Sequence, residues 1–261
     1  MIAKWWWTGL FCAAIGWAQP ANRLEIAHVA FRVAGLEASR GFYQRLGFEQ
    51  FFEMKQGERT TEAFLKINDR QFIELYPRGD PSQSLGLMHV CYESSDLEAL
   101  HAGYVSRGLT VSDVRKAGAG NLLMTMKDPE GQTIEFTQYM PGSRHYEDRG
   151  KHLGANRVSP MLVGATTTAH DVAAVRAFYI DKLGFREAVG KALRVPGDSR
   201  QELDIASSDP PAKAGIQFGV IDLKQTAGVL AALGLQVRSG PTAVTVSDPD
   251  GNVILFLKWK D

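Results

Sequence analysis

Hydrophobic and polar positions follow a pattern that recurs four times along the chain. In the first block, Leu24 to Val33 alternates and is rich in β-branched residues, which predicts a strand. Leu36 to Leu46 then carries apolar residues near helical spacing, and Gly47 follows where a C-cap glycine is expected to end a helix. Three more short strands are predicted at Gln50–Met54, Glu62–Ile67 and Gln71–Tyr76. The predicted order of the block is therefore β-α-β-β-β.

The second block has the same order. Leu87 to Glu93 predicts a strand, and Ser95-Asp-Leu-Glu98 has the form of a capping box before a helix that Gly108 ends. Its last strands are predicted near Thr110–Arg115, Asn121–Met126 and Thr133–Gln138. The stretch 141–160 is polar and has no periodicity, so we expect it to be a linker.

Two further blocks follow that linker. Their predicted elements are a strand from Met161, a helix over Asp171–Leu183 ended by Gly184, a strand from Ile216, a helix ended by Gly234 and a last strand at Val253–Leu257. The turn Asp128-Pro-Glu-Gly131 of the second block returns in the fourth as Asp248-Pro-Asp-Gly251. Agreement among these signals indicates four copies of one module. The predicted fold class is α+β, built from four tandem βαβββ modules.

The first residues have the pattern of a secretory signal peptide. Met1 to Lys4 is short and positive, Trp5 to Ile15 is almost entirely apolar, and Gly16-Trp-Ala18 offers small residues before a cut. We expect residues 1–18 to be removed, which leaves a periplasmic or secreted chain without stable membrane association. An uncleaved anchor is the alternative. After cleavage Cys91 is the one cysteine left, so no internal disulfide is expected.

Charge narrows the class of partner. Lys plus Arg and Asp plus Glu number 29 each, and the two signs are mixed along the chain. No basic face is predicted for nucleic acid, so the expected partner is a small-molecule substrate. The sequence leaves open whether the protein is a monomer or a homodimer.

Four polar residues interrupt the predicted apolar strands. His28 and His89 occupy equivalent places in the first strands of modules one and two, while Glu74 and Glu135 lie in the last strands of the same modules. A carboxylate in an apolar strand costs free energy unless a partner such as a metal ion compensates it. Imidazole and carboxylate together suit Zn, Ni, Co, Mn or Fe. The first half is therefore predicted to bind one divalent metal.

The second half lacks the same set. Ungapped matching places Gly164 opposite His28 and Leu255 opposite Glu135. Opposite His89 stands Gly215, or Gln217 if a gap is allowed. We therefore expect one half equipped for chemistry and one half without metal ligands.

The modules and their four polar residues resemble the vicinal oxygen chelate superfamily, which includes glyoxalase I, the extradiol dioxygenases, and the fosfomycin and bleomycin resistance proteins. The resemblance covers essentially the whole mature chain. It implies that the modules pair into two half-barrel domains, each around a cavity. The expected boundaries are 19–140 for a metal-binding domain, 141–160 for a linker and 161–261 for a degenerate second domain.

The four candidate ligands match the His-Glu-His-Glu set of glyoxalase I. The resemblance therefore implies a metal-dependent lyase or isomerase that acts through an enediolate on a substrate with vicinal oxygens. Glu135, and next Glu74, is the expected catalytic base. Arg32 stands where the family has a glutathione-binding arginine, whereas Arg78 replaces a family asparagine, which argues against glutathione as the thiol. Both arginines are candidates for binding a substrate carboxylate.

Two other functions remain open. The first is an extradiol dioxygenase acting on a catechol-like substrate. The signature of that branch has a tyrosine at the position of Thr125 and a histidine within the window Lys116-Ala-Gly118, and this chain has neither. A non-catalytic antibiotic-binding protein of the bleomycin resistance kind is the second. In the linker, His145 and His152 are expected to be solvated or to close over the pocket as a lid.

Overall fold

The computed structural model describes residues 23–197, 200–209 and 213–259. The predicted signal peptide at residues 1–18 lies outside the described residues. Within those ranges, no helix is long and apolar enough to cross a membrane.

The first sheet contains the strands of modules one and two. They are β1 (Leu24–Val33), β2 (Glu49–Gln56), β3 (Arg59–Asn68), β4 (Gln71–Pro77), β5 (Gly86–Ser94), β6 (Arg115–Lys116), β7 (Leu122–Lys127) and β8 (Thr133–Gln138). Their order across the sheet is β2-β3-β4-β1-β5-β8-β7-β6. Strand β1 is parallel to β4 and antiparallel to β5, so the two modules meet at their first strands.

The second sheet repeats this arrangement. Its strands are β9 (Met161–Ala169), β10 (Arg186–Glu187), β11 (Leu193–Arg194), β12 (Glu202–Ser207), β13 (Gly215–Val220), β14 (Arg238–Ser239), β15 (Ala243–Ser247) and β16 (Val253–Lys258). Their order is β10-β11-β12-β9-β13-β16-β15-β14, which is the order of the first sheet shifted by one module pair. The prediction of four βαβββ modules is therefore confirmed.

One helix follows the first strand of each module, and a short helix lies in the segment of chain that connects the two sheets. The helices are α1 (Leu36–Arg45), α2 (Leu97–Ser106), α3 (Arg144–Glu147), α4 (Val172–Ala177), which continues as a π-helical turn (Phe178–Lys182), and α5 (Leu223–Ala232); Val189–Lys191 form a 3₁₀ turn. The four glycines predicted to end the module helices have positive φ, which glycine adopts without steric cost. Those glycines are Gly47, Gly108, Gly184 and Gly234.

Two local predictions were wrong. The residue that caps α2 is Asp96, not Ser95, because the Asp96 carboxylate accepts the N–H of Ala99. The strand expected over Thr110–Arg115 shrinks to β6 and one isolated bridge. The Ser112 hydroxyl accepts the N–H of Thr125 there, in competition with a regular backbone ladder.

The two sheets share one hydrophobic core. Phe48 stacks on Phe218 of the second half, with ring centroids 5.0 Å apart. The side-chain amide of Gln71 bonds both the N–H and the carbonyl of Leu162. Because side chains alternate along a strand, Val29 and Phe31 of β1 enter this core while His28 points to the other, concave face of the half-barrel.

Candidate metal centre

Four adjacent strands bring the predicted ligands onto that concave face. His28 comes from β1, Glu74 from β4, His89 from β5 and Glu135 from β8. Ala30, two residues after His28, lies on the same face of β1 as His28. Ala30 pairs with Glu74 on one side and with His89 on the other, so these two side chains lie on the face that His28 occupies. Residues from both modules are needed, which explains why the paired arrangement is required to build the site.

The distances between the ligand atoms fit one shared ion. His28 Nε2 lies 3.1 Å from His89 Nε2, 3.3 Å from Glu74 Oε2 and 3.2 Å from Glu135 Oε1. His89 Nε2 lies 3.8 Å from Glu74 Oε2 and 3.7 Å from Glu135 Oε2. Metal–ligand bonds of about 2.1 Å separate neighbouring ligand atoms by roughly 3.0 to 3.5 Å. The three distances from His28 fall in this range and the two from His89 are slightly longer, so the donor set and its spacing suit a divalent transition metal.

Burial and charge at this cluster favour a bound cation. His28, Glu74 and His89 are 5%, 4% and 6% exposed. Burial raises the pKa of Glu74, but the two imidazoles outweigh that effect and hold it at about 2. Burial lowers the pKa of His28, but the Glu74 and Glu135 carboxylates raise it above its ordinary value overall. The Glu74 and Glu135 carboxylates, whose pKa values the imidazoles lower, are therefore both ionised and attract a cation to the cluster.

The two glutamates differ in their surroundings. The Tyr76 hydroxyl donates a 3.1 Å hydrogen bond to Glu74 Oε2 and also contacts the Glu62 carboxylate. Burial and the neighbouring Glu74 raise the pKa of Glu62 to about 9, so Glu62 is a neutral acid at pH 7. The Glu135 side chain is 14% exposed, against 5% for Glu74. Glu74 is therefore anchored, and Glu135 is the carboxylate open to a ligand.

Cys91 is a fifth potential donor. Its sulfur belongs with atoms of His28 and Glu135 to a group within 4.8 Å. The residue is fully buried, and burial together with the nearby carboxylates raises the pKa of its thiol well above the ordinary value. A protonated thiol is a poor ligand, so the two imidazoles and two carboxylates remain the better set.

A cavity of about 330 Å³ opens over the cluster. Polar residues of its lining are His28, Glu74, Glu135, Thr61, Glu62, Tyr76, Arg115, Asn121, Thr137, Tyr139 and His145, and its other residues are Met54, Phe64, Ala117, Gly118, Ala119 and Leu123. Most of these residues were not predicted from the sequence, because they come from strands and loops with no distinctive pattern. Larger grooves occur elsewhere, one of about 590 Å³ beside Trp259, but they lie away from the ligand cluster.

The two arginines predicted to bind substrate do not line this cavity. Arg32 donates to the carbonyl of Ser84, and Arg78 is an exposed residue whose backbone N–H bonds the carbonyl of Val33. Four residues along a strand span about 13 Å, which carries Arg32 past the cavity from His28. Their role in substrate binding stays a prediction without support from this geometry.

The expectation that His145 is solvated was wrong. His145 is 5% exposed and lines the cavity. His152 is more open, with a side chain 42% exposed, and its Nδ1 lies 2.6 Å from Asp148 Oδ1. No periodic pattern of residues predicts this burial, because it depends on contacts with distant strands.

In the second half, the strand register resolves the alignment that the sequence left open. Gly164 pairs with Gln217 as His28 pairs with Cys91, so Gln217 corresponds to Cys91. No gap is needed, and Gly215 therefore corresponds to His89.

Side chains from the second half fill the equivalent place. The Gln217 amide donates to Asp204 at 2.6 Å and to Thr166 at 3.1 Å. A Cβ at Gly164 would lie 2.4 Å from the Gln217 side-chain oxygen, and one at Gly215 would lie 2.2 Å from the carbonyl oxygen of Val253. Histidines cannot be accommodated at these two glycines without displacing neighbours.

Comparison with known proteins agrees with this arrangement. Residues 25–136 match the sequence model of the Glyoxalase/Bleomycin resistance protein/Dioxygenase superfamily. This part of the chain belongs to that superfamily. No curated relative matches the chain at the sequence level.

Solved structures are similar in fold to this chain across both sheets. The Mn(II)-bound glyoxalase from Novosphingobium aromaticivorans is 15% identical, with a TM-score of 0.68 over 90% of this chain and 81% of that chain. The 2,3-dioxygenase LapB from Pseudomonas sp. KL28 is 16% identical, with a TM-score of 0.68 over 90% and 92%. Homoprotocatechuate 2,3-dioxygenase from Arthrobacter globiformis is 19% identical, with a TM-score of 0.66 over 92% and 80%. At these identities the likeness shows the fold alone.

Proposed function

We propose that this protein is a metal-dependent enzyme of glyoxalase type, a lyase or isomerase that moves a proton between adjacent carbons of a small substrate with vicinal oxygens. The observation that carries the proposal is the convergence of two imidazoles and two carboxylates in a cavity. His28, Glu74, His89 and Glu135 would hold the ion, with Ni, Zn, Co, Mn and Fe as candidates. When bound, a divalent ion polarises a substrate carbonyl and stabilises negative charge on its oxygen.

Glu135 is the proposed base. It is the more exposed of the two carboxylates, and Tyr76 restrains Glu74. Glu135 removes the proton from the carbon next to the substrate carbonyl and returns it to the neighbouring carbon, so the reaction has no net proton change. Burial raises the pKa of the Glu135 carboxylate, but the imidazoles of His89 and His28 lower it overall, so Glu135 is ionised at pH 7 and able to accept a proton.

The test is an assay of metal-reloaded protein with hemithioacetals formed from methylglyoxal or phenylglyoxal and several thiols. Thioester formation that requires the metal is the expected result. Glu135→Gln should lower kcat by about 10²- to 10⁴-fold. Glu93→Gln, which changes a carboxylate paired with Arg70 at 2.8 Å, is the matched control and should retain activity. Metal-independent turnover, or full activity in Glu135→Gln, would contradict the proposal.

A second candidate is an oxygenase on a catechol-like substrate. The ligand atoms of His28, Glu74 and His89 lie within 4.8 Å of one another without Glu135. Two histidines and one carboxylate with open positions form the facial set of non-haem Fe(II) oxygenases. Oxygen uptake that tracks loss of a catechol, in Fe(II)-loaded protein, would support this function and exclude the first.

We also propose that the mature protein is periplasmic or secreted and begins at Gln19. The support is the charge and hydropathy pattern of residues 1–18. Sequencing the N-terminus of protein from the native cell envelope or medium tests this proposal. A mature chain that retains Met1 would contradict it.

A further inference from the structure

His145 belongs to the wall of the metal cavity although it comes from the segment between the two sheets. It lines the cavity together with His28, Glu74 and Glu135. Its ring packs edge-on or tilted against five aromatic rings at centroid distances of 4.5 to 5.7 Å. Those rings belong to Phe51, Phe52, Phe64, Phe72 and Tyr139.

Asn121 fixes which nitrogen of His145 carries the hydrogen. The backbone N–H of Met140 donates to Asn121 Oδ1 at 3.2 Å, which turns the amide nitrogen towards His145. Asn121 Nδ2 then donates to His145 Nδ1 at 2.9 Å. Because Nδ1 accepts a hydrogen bond, neutral His145 carries its hydrogen on Nε2. Burial lowers the pKa of His145 to about 4, so the ring is neutral at pH 7.

The Nε2–H group has no protein partner in the described part of the chain. There, the His145 side chain contacts Asn121 through its Nδ1 atom and the aromatic rings through its ring faces and edges. The Nε2 atom is not enclosed by protein and keeps some accessible surface. Since the residue lines the cavity, this donor is open to a molecule inside it. A buried donor without a protein acceptor is unfavourable unless a ligand or water accepts from it.

The segment that carries His145 is fixed on both sides. At the first residue of α3, the N–H of Arg144 donates to the carbonyl of Ala119 at 2.9 Å. After α3, the fully buried Lys66 donates to the carbonyl and the carboxylate of Asp148 at 2.6 and 2.9 Å. Such anchoring holds the imidazole in one place, which suits a binding group better than a lid.

We propose that His145 binds substrate, donating its Nε2–H to a substrate oxygen, and that the site takes molecules in which a flat apolar group adjoins the vicinal oxygens. Phe64 and Tyr139 beside His145 in the cavity wall would receive that group. The inference rests on the proposed function in one respect, that the metal centre binds the vicinal oxygens. A neutral imidazole N–H can stabilise developing negative charge without being deprotonated.

The experiment uses the full mature chain, ¹⁵N-labelled at histidine, with benzohydroxamate as the probe. This compound presents two vicinal oxygens beside a phenyl ring. Two-dimensional ¹H–¹⁵N spectra at pH 7 should show His145 as the Nε2–H tautomer in metal-free and Zn-loaded protein. Benzohydroxamate should shift its Nε2 signal in the Zn-loaded form. An Nδ1–H tautomer or a charged ring would overturn the inference.

Affinity measurements separate this inference from the proposed function. For Zn-loaded protein, His145→Phe should weaken benzohydroxamate binding about tenfold, as expected for one lost hydrogen bond, with unchanged Zn content. His145→Gln, which keeps an N–H donor, should recover most of the affinity, and His152→Gln in the same segment should match the wild type. Unchanged affinity in His145→Phe would overturn this inference alone. A wild-type chain that binds no Zn or no benzohydroxamate would overturn the proposed function and this inference with it.

Discussion

Lys66 offers a sharp test of how the segment between the sheets is held. It is a lysine with no exposed surface, and its ammonium donates to the carbonyl and carboxylate of Asp148 at 2.6 and 2.9 Å and to Asp69 at 2.8 Å. Lys66→Met keeps most of the length of the side chain but removes the charge and all three N–H donors. The Asp148 carboxylate, 11% exposed, would keep His152 as a partner.

The expected cost follows from burial. Removing one partner of a buried ion pair costs about 3 to 5 kcal/mol. The Asp69 side chain is 40% exposed, so the loss of its ion pair adds little to this cost. Methionine regains some packing near Phe51, whose ring centroid lies 5.9 Å from the Lys66 ammonium. We therefore expect Lys66→Met to lower the free energy of unfolding by about 3 kcal/mol.

Urea unfolding followed by circular dichroism measures this change, with Arg70→Met as the matched control. Arg70 also contacts two carboxylates, Glu25 at 3.2 Å and Glu93 at 2.8 Å, but its side chain is 52% exposed. An exposed pair contributes up to about 1 kcal/mol. Equal losses of unfolding free energy in the two variants would show that burial of the Lys66 cluster does not anchor the segment.

Two further predictions concern pH and backbone conformation. The pKa of His145 is about 4 in the folded protein against 6.5 for an unperturbed histidine, so the unfolded chain takes up its proton first as pH falls. The contribution of neutral His145 to the free energy of unfolding is therefore complete above pH 6.5, and about 3 kcal/mol of it is lost between pH 6.5 and 4. Urea unfolding at pH 7 and 4.5 should show a smaller pH dependence of stability in His145→Phe than in the wild type. Gly47→Ala should lower the midpoint of thermal unfolding far more than Gly108→Ala. Both glycines have positive φ, but a Cβ at Gly47 would lie 2.4 Å from the Cα of Arg157, whereas a Cβ at Gly108 would meet no atom within 4 Å. Equal pH dependence in the first pair, or equal midpoints in the second, would contradict these expectations.

The sequence predicted the parts of the fold that local rules determine. The bounds of β1 follow from apolar alternation over Leu24–Val33, and Gly47 ends α1 because a left-handed residue is needed there. The equivalent placing of His28 and His89 in two modules pointed to one shared site, and the structure brings these imidazoles within 3.1 Å.

Other features depend on contacts that no local pattern encodes. The burial of His145 requires Asn121 from the edge of β7 and Lys66 from β3, the latter bonded to a residue 82 positions away. Arg32 shares the strand of His28, yet strand rise carries it away from the cavity. The role of Gln217 could be resolved only once the register of β9 and β13 was known.

We propose that the first half binds one divalent metal ion through the two histidines and two glutamates. The decisive measurement is the metal content per chain, by plasma mass spectrometry, of mature protein purified without chelators or a metal-affinity tag. We expect about one Ni, Zn, Co, Mn or Fe per chain, lost in His89→Ala and retained in Gln217→Ala, a control change of a buried polar residue in the second half. A chain that holds no metal after reconstitution, or that keeps its metal in His89→Ala, would contradict this metal site.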